Sequence, residues 1–307
     1  MLSHSATYPV HGPSLETHGD RFARPGTLVS NGPFALDDWV VQSHVRLVRN
    51  PHYWGASQVK LDEVIYYSIE EPGAELKRYR AGELDFTETI PNAQFDWIRE
   101  NLGDELRIAP YLGVYYYRLT VTRPPFDDVR LREALNLAVD RETLVESVTG
   151  VGELPAYGFV PPGTRDYEPP RYDWAHWSEE QRLDRAQQLY ADAGFGPDSP
   201  LRIKLYYNTG DNHKKIALAI AAMWKQSLGV ETDLINEELR VLLEHRRDRS
   251  RWEIMRLGWV GDYDDPTTFL EIMQSDHAQN DTGFSDAGFD DLIREAALIR
   301  DPAERTR

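Results

Sequence analysis

Between Ser178 and Asn236 the chain alternates helix and strand signals twice, and that alternation limits the possible folds more than any other feature. SEEQRLDRAQQLYADAGFG has a Ser178 cap, an amphipathic body and a Gly194 stop. NHKKIALAIAAMWKQSLG repeats the plan with an Asp211 or Asn212 cap and a Gly229 stop. A β-rich run follows each helix, first LRIKLYYN and then VETDLIN. Strands joined through helices lie parallel in at least part of their sheet, because the crossover returns the chain to the end where it started. An α/β fold is expected.

Upstream, DDVRLREALNLAVDRETLVESV places Leu131, Ala134, Leu135, Leu137 and Ala138 on one helical face behind an Asp127 or Asp128 cap. HVRLVRN, EVIYYSI, LDFTE and LRIAPY read as short strands around a helical stretch from Glu71 to Ala81. Helix content rises after the run Tyr115, Tyr116, Tyr117, which sets a boundary near 112. Residues 1–112 are then a mixed α/β unit and residues 113–307 a helix-rich α/β unit. A chain of 307 residues agrees with two cores.

With 34 basic and 51 acidic residues the formal charge is -17, which disfavours nucleic acid, since phosphate binding needs a clustered cationic surface. Cysteine is absent, so neither a disulfide framework nor a thiolate nucleophile is available. No nucleophile elbow, zinc-binding HExxH, P-loop or CxxC occurs, so the chain is read as a binding protein rather than an enzyme. Gly150 to Gly158 holds two glycines of a dinucleotide fingerprint, but Pro155 stands at the third and no strand leads in. Asp262, Asp264 and Asp265 lack the glycine and distal glutamate of a calcium loop, and the latter two read as a capped turn before Pro266. No cofactor and no metal are therefore expected. The amino terminus lacks the apolar core of a secretory signal, and the last residues read as an amphipathic helix with no strand after it, so the chain is expected to be cut at both ends.

RWEIMRLGWVGDYDDPTTFLEIM, from Arg251 to Met273, ends an apolar strand with groups suited to holding a ligand. Gly258 allows close approach of another backbone, Trp259 offers a flat apolar wall, and Asp262 offers a negative charge. An extended peptide with a charged amino terminus suits this set. From spacing alone His213, beside Lys214 and Lys215 at a helix start, is either a solvated cap or part of a carboxylate-seeking patch.

VSNGPFALDDWV, LVRNPHYWG, RYRAGELDFT, YYYRLTVTRPPFDDVRLREALNLAVDR, LPAYGFVPP, YNTGDNHKKIA and RLGWVGDYDDPTTFL fall in the order and spacing of the oligopeptide-binding proteins of ABC importers. The chain resembles that family from about Tyr8 to Arg307. The resemblance implies a periplasmic or surface-anchored binding protein of the two-lobed periplasmic type, a monomer that closes over short peptides and delivers them to ABC permease subunits in the membrane. It implies that Asp262 holds the peptide's amino terminus, and that Arg256 and His213 meet its carboxylate. Gly258 and Trp259 would line the ligand strand, and Tyr111 and Tyr116 would border the cleft. Departures include Leu239, where relatives often place a tryptophan, and Thr149, near where some carry a lysine. Gly113 and Val260 occupy positions where some relatives have a pair of cysteines. Members are considerably longer, so residues 1–112 are expected to be an incomplete first lobe and 113–307 a nearly complete second one. A chaperone-like binder of unfolded segments and a non-functional fragment are the alternatives.

Overall fold

A computed structural model of the chain describes residues 7–109 and 111–305. The first six residues, Pro110 and the last two, which carry parts of the amino-terminal, LRIAPY and carboxy-terminal readings, lie outside the described residues. Contacts divide the chain into Met1–Pro91 and Asn92–Arg307, ahead of the boundary expected near 112. The reason is local. Asn92 donates from Nδ2 to the Thr149 carbonyl at 3.2 Å, and its Oδ1 accepts from Asn212 Nδ2 at 2.7 Å, which ties this stretch to the second unit.

The first unit holds α1 (Gly12–His18), then β1 (Phe34–Val40), β2 (His44–Arg49) and β3 (Glu63–Tyr67), then α2 (Pro72–Arg80). The strands form an antiparallel sheet in the order β1-β2-β3. Asn50 closes the loop before β1: its buried amide donates to the Ser30 and Gly32 carbonyls at 3.0 and 2.9 Å. LDFTE is not a strand, and neither are the described residues of LRIAPY. The described residues of both runs have strand-like composition but pair with no described strand, and composition without a ladder does not make a strand.

The second unit contains α3 (Phe95–Asn101), β4 (Gly113–Leu119), α4 (Val129–Leu137), α5 (Arg141–Thr143), α6 (Glu179–Asp192), β5 (Arg202–Asn208), α7 (Asp211–Leu228), β6 (Glu231–Glu237), α8 (Leu239–His245), β7 (Ile254–Val260), α9 (Thr267–Leu270), α10 (Ala287–Ala296) and α11 (Pro302–Arg305). Its sheet runs β4-β7-β5-β6. β5 is parallel to β6 and to β7, as the helix–strand alternation requires, while β4 is antiparallel to β7.

Ser178 and Gln181 form a complete capping box on α6, and Gly194 and Gly229 follow α6 and α7 at positive φ, where glycine is free of the Cβ clash. The cap of α7 is Gly210 rather than Asp211 or Asn212. The helix expected from Asp128 onward breaks after Leu137, because Asp140 accepts from the Thr143 amide and restarts it as α5, followed by a widened turn over Leu144–Thr149.

One face of the sheet packs Ile203, Leu205 and Ile254 against Leu131, Leu135, Leu189, Ile220 and Trp224 of α4, α6 and α7. The Trp224 indole donates to the Leu135 carbonyl at 2.9 Å, so its one polar atom is satisfied inside this core. The opposite face builds a smaller cluster of Leu242, Trp252, Met255 and Leu257, with Tyr116 and Tyr206 at its margin.

Candidate functional site

β7 is paired along its whole length on one side and only at its start on the other. On the β4 side the register runs from Leu119↔Ile254 to Gly113↔Val260. On the β5 side only Ile254 and Met255 find partners, Leu205 and Tyr206. The Gly261 amide donates to the Leu112 carbonyl at 2.8 Å, and peptide groups alternate edges along a strand. The N–H and C=O of Gly258 and Val260 therefore face away from β4, along an edge that no described strand covers. Gly258 and Val260 are also exposed.

Alternation sorts the side chains of the two strands. Tyr115 and Tyr117 lie opposite Gly258 and Arg256 and share their face, whereas Tyr116 lies opposite Leu257 on the other. On the first face the Arg256 guanidinium stacks on the Tyr115 ring, its Cζ 4.4 Å from the centroid. Arg256 Nη1 donates to Asn208 Oδ1 at 2.8 Å, while its Nε is buried without a hydrogen-bond partner. Among the described residues no carboxylate forms an ion pair with Arg256, although the chain is strongly acidic. A Cβ at position 258 would lie 3.3 Å from the Val114 carbonyl oxygen and 3.9 Å from Arg256 Nη2, so glycine keeps the strand flat beside the guanidinium.

His213, in the first turn of α7, comes to the same place. Its Nδ1 lies 3.4 Å from the Tyr115 hydroxyl, and the two rings are 5.8 Å apart. Burial and then the Arg256 charge push its pKa down to about 4, so the ring is neutral at pH 7. Burial also raises the Tyr115 hydroxyl, partly offset by Arg256, and raises the Tyr117 hydroxyl further. The corner thus presents one cation, a neutral imidazole and protonated phenols. It can receive an anion.

The remaining sequence candidates lie apart from this corner or beside it. Trp259 is half-buried on the Tyr116 face, its Nε1 buried without a partner in the structure. The Tyr116 ring meets Phe159 edge-on at 5.0 Å, and its hydroxyl accepts from Arg118 Nη2 at 2.9 Å. Arg118 is in turn paired with Asp281 at 2.8 Å, and Arg246 meets the same carboxylate oxygen at 3.1 Å. Tyr111 is 75% exposed just before β4. Asp262 is exposed in the loop after β7, its amide donating to Thr268 Oγ1 at 3.1 Å. Asp265 accepts from the Thr267 amide at 3.0 Å, in keeping with a capped turn. Gly113 and Val260 are direct partners across β4 and β7, the geometry a cross-strand pair needs.

Tyr115, Tyr117 and Asn208 are the site residues that sequence reasoning passed over. The signal was present for the tyrosines: in a strand, the first and third of a Tyr-Tyr-Tyr run share a face that the second does not.

A family model described as bacterial extracellular solute-binding proteins, family 5 Middle, matches residues 1–281. The chain belongs to this family. It is 38% identical over its full length to the periplasmic oligopeptide-binding protein OppA of Escherichia coli, and spans 56% of that relative. The structure of the murein tripeptide-binding protein MppA of Escherichia coli superposes with a TM-score of 0.95 at 34% identity, over 99% of this chain and 59% of that one. OppA of Haemophilus influenzae, solved in complex with the peptide RPPGFSPFR, gives 0.92 at 30% identity over 99% and 60%. The chain thus has the mixed α/β periplasmic-binding-protein fold and spans somewhat over half the length of these relatives. The family's named members are solute-binding proteins, several of them periplasmic, and no helix among the described residues is long and apolar enough to cross a membrane.

Proposed function

We propose that the protein is the substrate-binding component of an ABC-type oligopeptide importer, a periplasmic monomer that holds short extended peptides by backbone and termini and presents them to permease subunits. It catalyses no reaction and binds no nucleic acid. The observation that carries this reading is Arg256, a half-buried cation without an acidic partner among the described residues, set beside a strand edge whose amides and carbonyls no described strand covers. A half-buried cation of this kind favours a ligand carboxylate, and an open strand edge favours an extended backbone. In this reading Arg256 and His213 receive the peptide's carboxylate, Gly258 pairs with its backbone, and Trp259, Tyr116 and Tyr111 border it. Asp262 takes the ammonium. Arg256 and Asp262 are six residues apart in sequence. Along an extended chain that is at most about 20 Å, and the long arginine side chain shortens it, a span suited to peptides of a few residues.

The test is calorimetric titration of the protein with tetra-alanine, the same peptide N-acetylated, and the same peptide C-amidated. Asp262→Asn is expected to cost about 2 kcal/mol or more of affinity for the free peptide and little for the acetylated one. Arg256→Met should do the same for the free and amidated forms. Equal affinities across all three peptides in the unsubstituted protein would sink the reading.

A further inference from the structure

Tyr115 stands between the two groups assigned to the carboxylate and touches both. Its ring lies under Arg256 at 4.4 Å and its hydroxyl lies 3.4 Å from His213 Nδ1. Tyr117 braces it from the same strand face, the two rings 6.0 Å apart and near perpendicular. Asn208 Oδ1 on Nη1 gives Arg256 a second anchor, and Asn208 is itself buried at the end of β5. Beside these anchors Nε, on the edge that it shares with Nη2, is buried without a hydrogen-bond partner. That edge is one of the guanidinium's bidentate forks, and a fork held still loses less entropy when a carboxylate arrives.

We propose that Tyr115 is a positioning residue which, by stacking under Arg256 and bonding His213, fixes the two as a single carboxylate-receiving unit. This rests on the reading of Arg256 and His213 as the carboxylate's receivers. Two roles separate within one side chain: the ring sets the plane of the guanidinium, and the hydroxyl sets the rotation of the imidazole. The hydroxyl is kept protonated by burial, so it donates to the imidazole or accepts from it according to tautomer. The titratable and charged groups set against His213 are Tyr115 from β4 and Arg256 from β7, with Tyr117 against Tyr115, and Asp211 and Lys214 near it in sequence on its own helix. A carboxylate brought beside Arg256 would offset the charge that disfavours the imidazolium. Binding of a free acid is therefore expected to tighten as pH falls from 6.5 toward 5, and binding of an amide is not.

The experiment compares tetra-alanine with its C-terminal amide on the full protein, Tyr115→Phe and Tyr115→Leu, at several values of pH between 5 and 8. In the unsubstituted protein the free acid should bind tighter. Tyr115→Leu should lower that preference by about tenfold, the loss of a desolvated cation–π contact, read as the ratio of acid to amide affinity. Tyr115→Phe keeps the ring and should keep most of the preference, but flatten its pH dependence because the imidazole is no longer held. A cooperative thermal melt serves as the control that the variants fold, and Tyr115→Phe serves alone if the leucine variant does not. A preference for the acid that survives in Tyr115→Leu, or an unaltered pH profile in Tyr115→Phe, overturns the positioning role alone. No preference for the acid in the unsubstituted protein overturns the carboxylate reading and this inference with it.

Discussion

The two units solve the same problem unequally. In Asn92–Arg307 both faces of the β4-β7-β5-β6 sheet have clusters against them, and residues such as Phe126, Leu131 and Leu205 are fully removed from water. In Met1–Pro91 the sheet has strands of similar length, yet Leu76 is the buried hydrophobic residue among the described ones. Trp54 is 85% exposed, and Leu28, Phe34, Leu36, Val45 and Leu47 line an open apolar hollow of about 330 Å³. A sheet becomes stable when a second layer covers its apolar face, and here that layer separates the two regions more than strand pairing does.

The largest test of this contrast is truncation of a core side chain in each. Phe126→Ala is expected to cost about 3–5 kcal/mol in urea denaturation of the second unit, through lost transfer energy and the cavity left behind. Leu47→Ala, at a half-buried position of the first sheet, should cost about 1 kcal/mol, followed by amide exchange of the β1–β3 strands. Equal costs would break the comparison. The charged networks differ in the same way. Asp281 lies under Arg118 and Arg246 in the second unit, all three well shielded from water. Asp281→Asn strands two buried guanidinium groups and should cost about 3–5 kcal/mol. Arg46, paired with Asp37 and Glu63 on the open face of the first sheet at 2.7 and 2.8 Å, should give no resolvable shift on Arg46→Gln, because water screens exposed pairs.

A further test sharpens the contrast through pH. His213 has a folded pKa of about 4, below the ordinary value of 6.5, so on acidification the unfolded chain takes up its proton first. This contribution is intact above pH 6.5, is lost as pH falls toward 4, and is level below that. Its full size is at most about 3 kcal/mol, reduced by the partial exposure of the ring. Denaturant midpoints between pH 4 and 7 should therefore fall less steeply in His213→Phe than in the unsubstituted protein. A difference of zero would mean that the ring is not shielded by α7 and β4.

Much of the second unit was legible because its elements carry their own punctuation. Ser178, Gly194 and Gly229 mark helix ends whatever surrounds them, and the order of helices and strands implies the parallel pairs. The break before Asp140 was not legible: the residues on both sides have helical spacing, and only the side chain's bond to the Thr143 amide shows that one helix ends and another starts. LDFTE misled for the opposite reason, since a strand exists by virtue of a neighbour that the segment itself does not name. In the site, Asp262 stood out from the segment itself, whereas the resemblance to relatives gave Arg256 and His213 their expected roles and pointed to Tyr116 among the three tyrosines. Which tyrosine faces the guanidinium depends on the register of β4 on β7, a pairing between segments some 140 residues apart that no local pattern reveals.

The half-covered edge of β7 has an evolutionary consequence. The groups it presents at Gly258 and Val260 are peptide N–H and C=O, which nineteen of the twenty residue types supply equally. Drift at these positions can alter what fits alongside the strand, but it cannot erase the row of donors and acceptors. Proline alone deletes a donor. A lineage carrying such an edge is free to change the side chains beside it while keeping the row itself.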